Sequence, residues 1–180
     1  MKIFNIFISK EMTSNIQLQN YVSRHEPTNT RFLGVFASDE LPRNPPIDSS
    51  LIANYSPSTQ PGTHWVCFYN LNSSKNKPSY FFDSYGESPD EPTKDGQIQG
   101  FTTHFYDYLK QNSSNGGVKW NTHRFQQWEE KGRKDDDVCG QYSVGVIIHG
   151  PPDIQSPFWG PFYSLSRADC DRRIKRLIKI

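Results

Sequence analysis

The sequence predicts an α+β fold, a small mixed sheet flanked by helices, and three observations predict it. Two extended runs, residues 63–71 and 80–84, bracket a polar segment as the arms of a hairpin do. Two other stretches, 101–109 and 138–149, read as helices, one by its stripe and one by its continuous apolar character. Finally, 12 Phe, 9 Tyr and 4 Trp supply large buried area per residue, which offsets an apolar fraction of only 34%. At 180 residues the chain is long enough for one well-cored domain, expected to span residues 1–180.

The elements follow in order. Ser14 can cap a short helix through Ile16, Leu18, Tyr21 and Val22, which Pro27, Asn29 and Thr30 break. Phe32-Leu-Gly-Val-Phe36 reads as a short extended segment. Pro42, Pro45, Pro46, Pro57 and Pro61 mark residues 42–62 as a surface loop leading to the next strand. In the strand at 63–71, His64, Val66 and Phe68 face one side and Trp65, Cys67 and Tyr69 the other.

The Asn-, Ser- and Lys-rich residues 72–78 form the hairpin loop, so the start of the first arm, with His64, lies opposite the end of the second, with Asp83. Phe101, Phe105, Tyr108 and Leu109 recur at helical spacing and stop before the Ser113-Ser-Asn-Gly-Gly117 turn. Residues 118–127 read as a third strand and 131–137 as a charged loop. The helix at 138–149 carries Cys139 in its first turn. After an irregular stretch around Pro157, Trp159 and Pro161, Ser166 and Asp169 form a capping box for a last helix, whose end alternates basic and apolar residues.

A net charge of +1 provides no overall attraction to nucleic acid or membrane. Three cysteines with no CxxC pair argue against a disulfide framework and a structural zinc site, and fit a reducing compartment. No apolar run reaches membrane-spanning length. The apolar start, interrupted by Asn5 and followed by Lys10 and Glu11, is too short for a secretory signal, so the Asn-x-Ser sequons at Asn54, Asn72 and Asn112 read as chance.

Three residues carry candidate chemistry. His64, Asp83 and Cys139 are a base, an orienting acid and a nucleophile: a thiol attacks well only as thiolate, an imidazole can take and return its proton, and a carboxylate fixes the tautomer of the imidazole. A helix N-terminus favours negative charge on Cys139 and offers that residue's own N–H to an oxyanion. Gly140 leaves room for a substrate backbone. Trp65 is read as packing beside the site, Cys67 and Cys170 as structural thiols, and His104 and His123 are assigned no role.

The ordered set His64-Trp65, Asp83-Ser-Tyr-Gly86 and Cys139-Gly140, with spacings of 19 and 56 residues, resembles the adenovirus-type maturation cysteine proteases, relatives of the ubiquitin-like-protein proteases. Papain-like enzymes run Cys, His, Asn instead. The likeness extends over residues 32–149. It implies a thiol endopeptidase that processes capsid or virion precursor proteins at Gly-containing sites. It also implies a virion or host-cell (cytoplasmic or nuclear) setting and DNA contact through the basic C-terminal helix; the sequence itself requires no cofactor, and activation by a peptide or DNA is an option that the resemblance alone adds. A monomer is expected.

The resemblance further implies a Gln before the nucleophile that donates to the oxyanion. Gln126 is the preferred candidate and Gln127 its rival. The chain departs from the family in the long segment 128–137 between this Gln and Cys139. Its acidic residue is Asp, as in the ubiquitin-like-protein branch, where adenoviral enzymes tend to use Glu. The alternatives are a protease that removes ubiquitin-like modifiers, which shares this chemistry, acyl transfer from the same thioester, and an inactive scaffold binding DNA or a partner.

Overall fold

A computed structural model of the protein describes residues 13–25, 30–89, 104–127, 138–153 and 155–180. The expectations for Met1–Ile8, Phe101 and the charged segment 131–137 lie outside these residues.

Helix α1 (Asn15–His25) begins where Ser14 predicts. Ser14 Oγ accepts from Gln17 N at 3.3 Å while Gln17 Oε1 accepts from Ser14 N at 2.8 Å, so two of the donors a helix start leaves unpaired are satisfied reciprocally. Leu18 and Val22 are buried, but Ile16 is 66% exposed and does not belong to the packed stripe.

Among the described residues five strands form one sheet in the order β1-β2-β3-β4-β5: β1 (Arg31–Phe36), β2 (Ser49–Asn54), β3 (Trp65–Leu71), β4 (Ser79–Phe82) and β5 (Val118–Trp120). The pairs β1/β2 and β4/β5 are parallel, β2/β3 and β3/β4 antiparallel, so the sheet is mixed as expected. Helices α2 (Phe105–Gln111), α3 (Cys139–His149) and α4 (Arg167–Leu177) complete the fold, with a 3₁₀ turn at Gly160–Ser164.

Two expectations are corrected. Residues 42–62 are not a continuous surface loop: they contain β2, every residue of which is buried. A strand covered on both faces shows no alternation, and Ser49-Ser-Leu-Ile-Ala-Asn54 between flanking prolines offers no periodic signal to read. Residues 118–127 are not one strand either. The ladder stops at Trp120 because Asn121 then bonds the main chain of Asp83 with its side chain: Oδ1 accepts from Asp83 N at 3.0 Å and Nδ2 donates to Asp83 O at 2.6 Å. A side-chain amide thus replaces the next rung and bends the chain toward the end of β4.

The sheet separates two apolar clusters. On one face Ile52, Trp65, Cys67, Tyr69 and Phe82 pack against α1, α3 and α4. On the other, Leu51, Ala53, Val66, Phe68 and Phe81 pack against Phe105 and Leu109 of α2. Helix α3 is buried over most of its length, which explains why its sequence is apolar all round and lacks a stripe. At the far end Ser166 caps α4, accepting from Asp169 N at 3.2 Å, as the capping box predicts.

Candidate active site

The register of β3 on β4 pairs Cys67 with Phe82 and Phe68 with Phe81. Continued by one residue, Asp83 lies across from Val66, and His64 is its diagonal neighbour on the same side of the sheet rather than directly opposite. Diagonal neighbours are within reach of a long side chain. His64 Nε2 lies 3.0 Å from Asp83 Oδ1, with His64 5% exposed and Asp83 fully buried. Both sit just beyond the strands, His64 before β3 and Asp83 after β4.

Asp83 is held by several groups at once. Its Oδ1 also accepts from Tyr85 N at 2.7 Å, closing an Asx turn, and Gly86 N donates to Asp83 O at 2.8 Å. Because Oδ1 accepts from two donors, Nε2 of His64 is the protonated nitrogen of the neutral ring and Nδ1 the basic one. Gly86 takes φ 74°, and a Cβ there would meet Thr122 O at 2.9 Å. Gly86→Ala is therefore expected to destabilise by about 1–3 kcal/mol, through the left-handed backbone and the clash together, measured as a lower denaturant midpoint.

The imidazole is enclosed by two tyrosines that sequence reading did not select. Tyr85 stacks on it at 4.8 Å between ring centroids, and Tyr55 lies on it at 5.7 Å. Tyr55 OH donates to Asp83 Oδ2 at 3.4 Å. Burial, and then the charge of Asp83, pushes the Tyr55 hydroxyl well above the ordinary phenol range, so it stays a neutral donor. Tyr55 falls just after β2, in the stretch read as a loop, where no signal marked it. Tyr85 stood within the Asp83-Ser-Tyr-Gly86 motif and was findable there.

Cys139 is the first residue of α3 and is 2% exposed. Val138 at the N-cap of this helix makes no side-chain capping bond. Trp65 N donates to Cys139 Sγ at 3.4 Å. Since that amide follows His64 directly, standard peptide dimensions put the sulfur within about 6 Å of His64 Cα. The helix N-terminus and the Trp65 N–H both favour negative charge on sulfur. His64, Asp83 and Cys139 thus gather where β3 begins, β4 ends and α3 starts.

No family model matches the chain, and no curated protein matches it. Among solved structures, the crystal structure of the ASFV pS273R protease is similar, with a TM-score of 0.37 and 19% identity over 73% of this chain. The match takes in 44% of that protein's length, less than half of it.

The two glutamines are separated by their surroundings. Gln126 is 1% exposed; its Oε1 accepts from Ser84 Oγ at 2.7 Å and its Nε2 donates to Tyr85 OH at 3.2 Å. Its main chain is held as well, with Gln126 N donating to Ser84 O at 3.0 Å. Gln127 is half-buried and faces α4, its N–H donating to Asp171 Oδ2 at 3.1 Å. Gln126 is therefore tied to the residues next to Asp83, and Gln127 is tied to the opposite wall.

The room expected at Gly140 is used differently. A Cβ there would come within 3.0 Å of Leu18 Cδ2 and 3.5 Å of Trp65 Cδ1, so this glycine lets α1 and Trp65 close over the start of α3 and does not clear a path for substrate. Trp65 is packing, as read, with its Nε1 donating to Thr13 O at 3.0 Å. Cys67 and Cys170 are enclosed. Burial pushes the Cys67 thiol well up, and burial with Asp171 and Asp169 raises Cys170 to about 11. Cys170 Sγ also donates to Phe162 O at 3.3 Å. Among the described residues no helix is long and apolar enough to cross a membrane.

Proposed function

We propose that the chain is a cysteine endopeptidase in which Cys139 is the nucleophile, His64 the base and Asp83 the residue that orients it. The observation that carries this reading is the Trp65 N–H on Cys139 Sγ, which sets the sulfur at a helix N-terminus one residue from the His64–Asp83 pair. His64 Nδ1 takes the thiol proton, and the thiolate attacks the peptide carbonyl carbon. The negative tetrahedral oxygen is met by the Cys139 N–H and by Gln126 Nε2, once the substrate draws that amide from Tyr85 OH. The C–N bond breaks as the imidazolium protonates the leaving amine. Water then attacks the thioester, giving its proton to His64, and releases the acid and the thiol.

Near-complete enclosure of Cys139, His64 and Gln126 supports a slender substrate segment, and glycine is the residue whose backbone can enter without a side chain. Together with the resemblance to adenovirus-type maturation proteases, this favours virion precursor proteins with Gly-containing sites as substrates. Asp at position 83 favours the modifier-removing branch as a second reading, and incubating the protein with virion precursors and with modifier conjugates separates the two.

Thiol reactivity tests the chemistry. With a small haloacetamide and mass mapping, Cys139 is expected to alkylate well below pH 8.5, the ordinary thiol range, and to lose that reactivity in His64→Ala. Cys67 and Cys170 are expected to stay unlabelled in the folded protein, because burial raises both thiols. If Cys139 reacts no faster than these two, no activated thiolate exists and the chain acts as a binding scaffold.

A further inference from the structure

Tyr55 stands in one row with His64 and Asp83 across three neighbouring strand ends. Its N–H donates to His64 O at 3.1 Å, which carries the pairing of β2 on β3 one residue past Asn54 and Trp65. Directly opposed residues of antiparallel neighbours face the same side of a sheet, so the ladder itself sets the Tyr55 ring beside the imidazole. We propose that Tyr55 is a positioning residue for the reaction, holding the Asp83 carboxylate with its hydroxyl and the His64 imidazole with its ring. This role rests on the peptidase reading for the turnover it assists, and not for the contacts themselves.

The strong anchors of Asp83 grip only one of its oxygens. Oδ1 accepts from His64 Nε2 at 3.0 Å and from Tyr85 N at 2.7 Å, and a carboxylate held at one oxygen can still swing the other. The Tyr55 hydroxyl donates to Oδ2 at 3.4 Å, and among the described residues no other donor reaches that atom. With a donor on each oxygen the carboxylate plane is set, and Oδ1 stays on the imidazole. A hydroxyl–carboxylate bond of this length is long, and catalytic bonds commonly shorten when substrate binds.

The phenol keeps its proton in this place. Tyr55 is 1% exposed, and burial followed by the charge of Asp83 pushes its hydroxyl well above the ordinary phenol range, so it remains a donor. Phe105 of α2 packs on the Tyr55 ring with centroids 5.1 Å apart, and the Tyr55 ring in turn lies on the imidazole at 5.7 Å and 21°. Tyr85 covers the other face of the imidazole at 4.8 Å and 25°. A ring covered on both faces cannot turn about its Cβ–Cγ bond without displacing a tyrosine, which keeps Nε2 on Asp83 and leaves Nδ1 for the thiol. Both aromatic faces also favour the imidazolium once the proton has arrived.

Tyr55→Phe tests the inference, since it removes the hydroxyl and keeps the ring. In the full-length chain kcat for a glycine-containing peptide is expected to fall about tenfold with KM nearly unchanged, because the hydroxyl acts after binding. In an Asp83→Asn background the same substitution is expected to cost less than about twofold more, since Tyr55 acts through that carboxylate. A second measurement needs no turnover. With ¹⁵N-labelled histidine in the Cys139→Ala protein, the His64 Nε2–H proton is followed by NMR, and adding Tyr55→Phe is expected to speed its exchange with water about tenfold as the bond to Asp83 opens more often.

A parental kcat together with an unchanged exchange rate overturns the inference, as does a loss that adds in full to that of Asp83→Asn. Faster exchange in a chain that cleaves no peptide defeats the peptidase reading and leaves the Tyr55 contacts standing. Cleavage by the parent chain, with Tyr55→Phe altering neither rate nor exchange, does the reverse.

Discussion

Cys139→Ala is expected to lower turnover of a glycine-containing peptide by on the order of 10⁶, to background, because no other group in the site can form the covalent intermediate. The other two cysteines are buried away from His64 and cannot substitute. The fold is expected to survive. The Trp65 N–H bond to the sulfur is a weak main-chain bond, and the substitution keeps the first residue of α3 a good helix former, so stability is expected to change by about 1 kcal/mol. Thermal unfolding alongside the kinetic assay separates lost chemistry from lost structure. Retention of peptidase activity in Cys139→Ala would sink the mechanism.

Asp83→Asn is the second large effect, expected as a fall of about 10³ to 10⁴ in kcat. In the parent chain Asp83 Oδ1 accepts from both His64 Nε2 and Tyr85 N, which keeps the proton on Nε2 and Nδ1 basic. An amide has one accepting oxygen. If that oxygen stays on Tyr85 N and Nε2, it supplies no negative charge to stabilise the imidazolium. If the amide instead turns its NH₂ to the ring, the proton moves to Nδ1 and the base is lost. Either way the protonated imidazole loses its buried counter-charge. The kcat against pH profile should shift, which a merely structural role for Asp83 would not cause. A drop below tenfold with an unchanged pH profile would reduce Asp83 to a turn-forming carboxylate.

The candidate residues were legible because each stands in a short motif whose local structure is set by its neighbours. A continuous apolar and aromatic run after His64 places that residue at a strand start, Asp83-Ser-Tyr-Gly86 is a turn, and an apolar run with no breaker after Val138 makes Cys139 a helix start. The tyrosines around His64 were not legible in the same way. Tyr55 reaches the imidazole only because β2 lies beside β3, and β2 itself carried no pattern, since a strand buried on both faces has nothing to alternate. Asn121 was lost inside an expected strand because a side-chain amide standing in for a backbone rung leaves no periodic mark.

By itself, the sequence determined the mixed α+β character, the order of helix and strand motifs, the hairpin that brings His64 near Asp83, and Cys139 at the start of an apolar helix, all of which depend on local pattern and short connections. Only the tertiary structure decided that Gln126 turns toward Ser84 and Tyr85 while Gln127 faces α4, and that Gly140 is taken up by packing under α1. Those outcomes depend on contacts between segments far apart in the chain. A run of residues records its own periodicity, but not which distant surface will cover it.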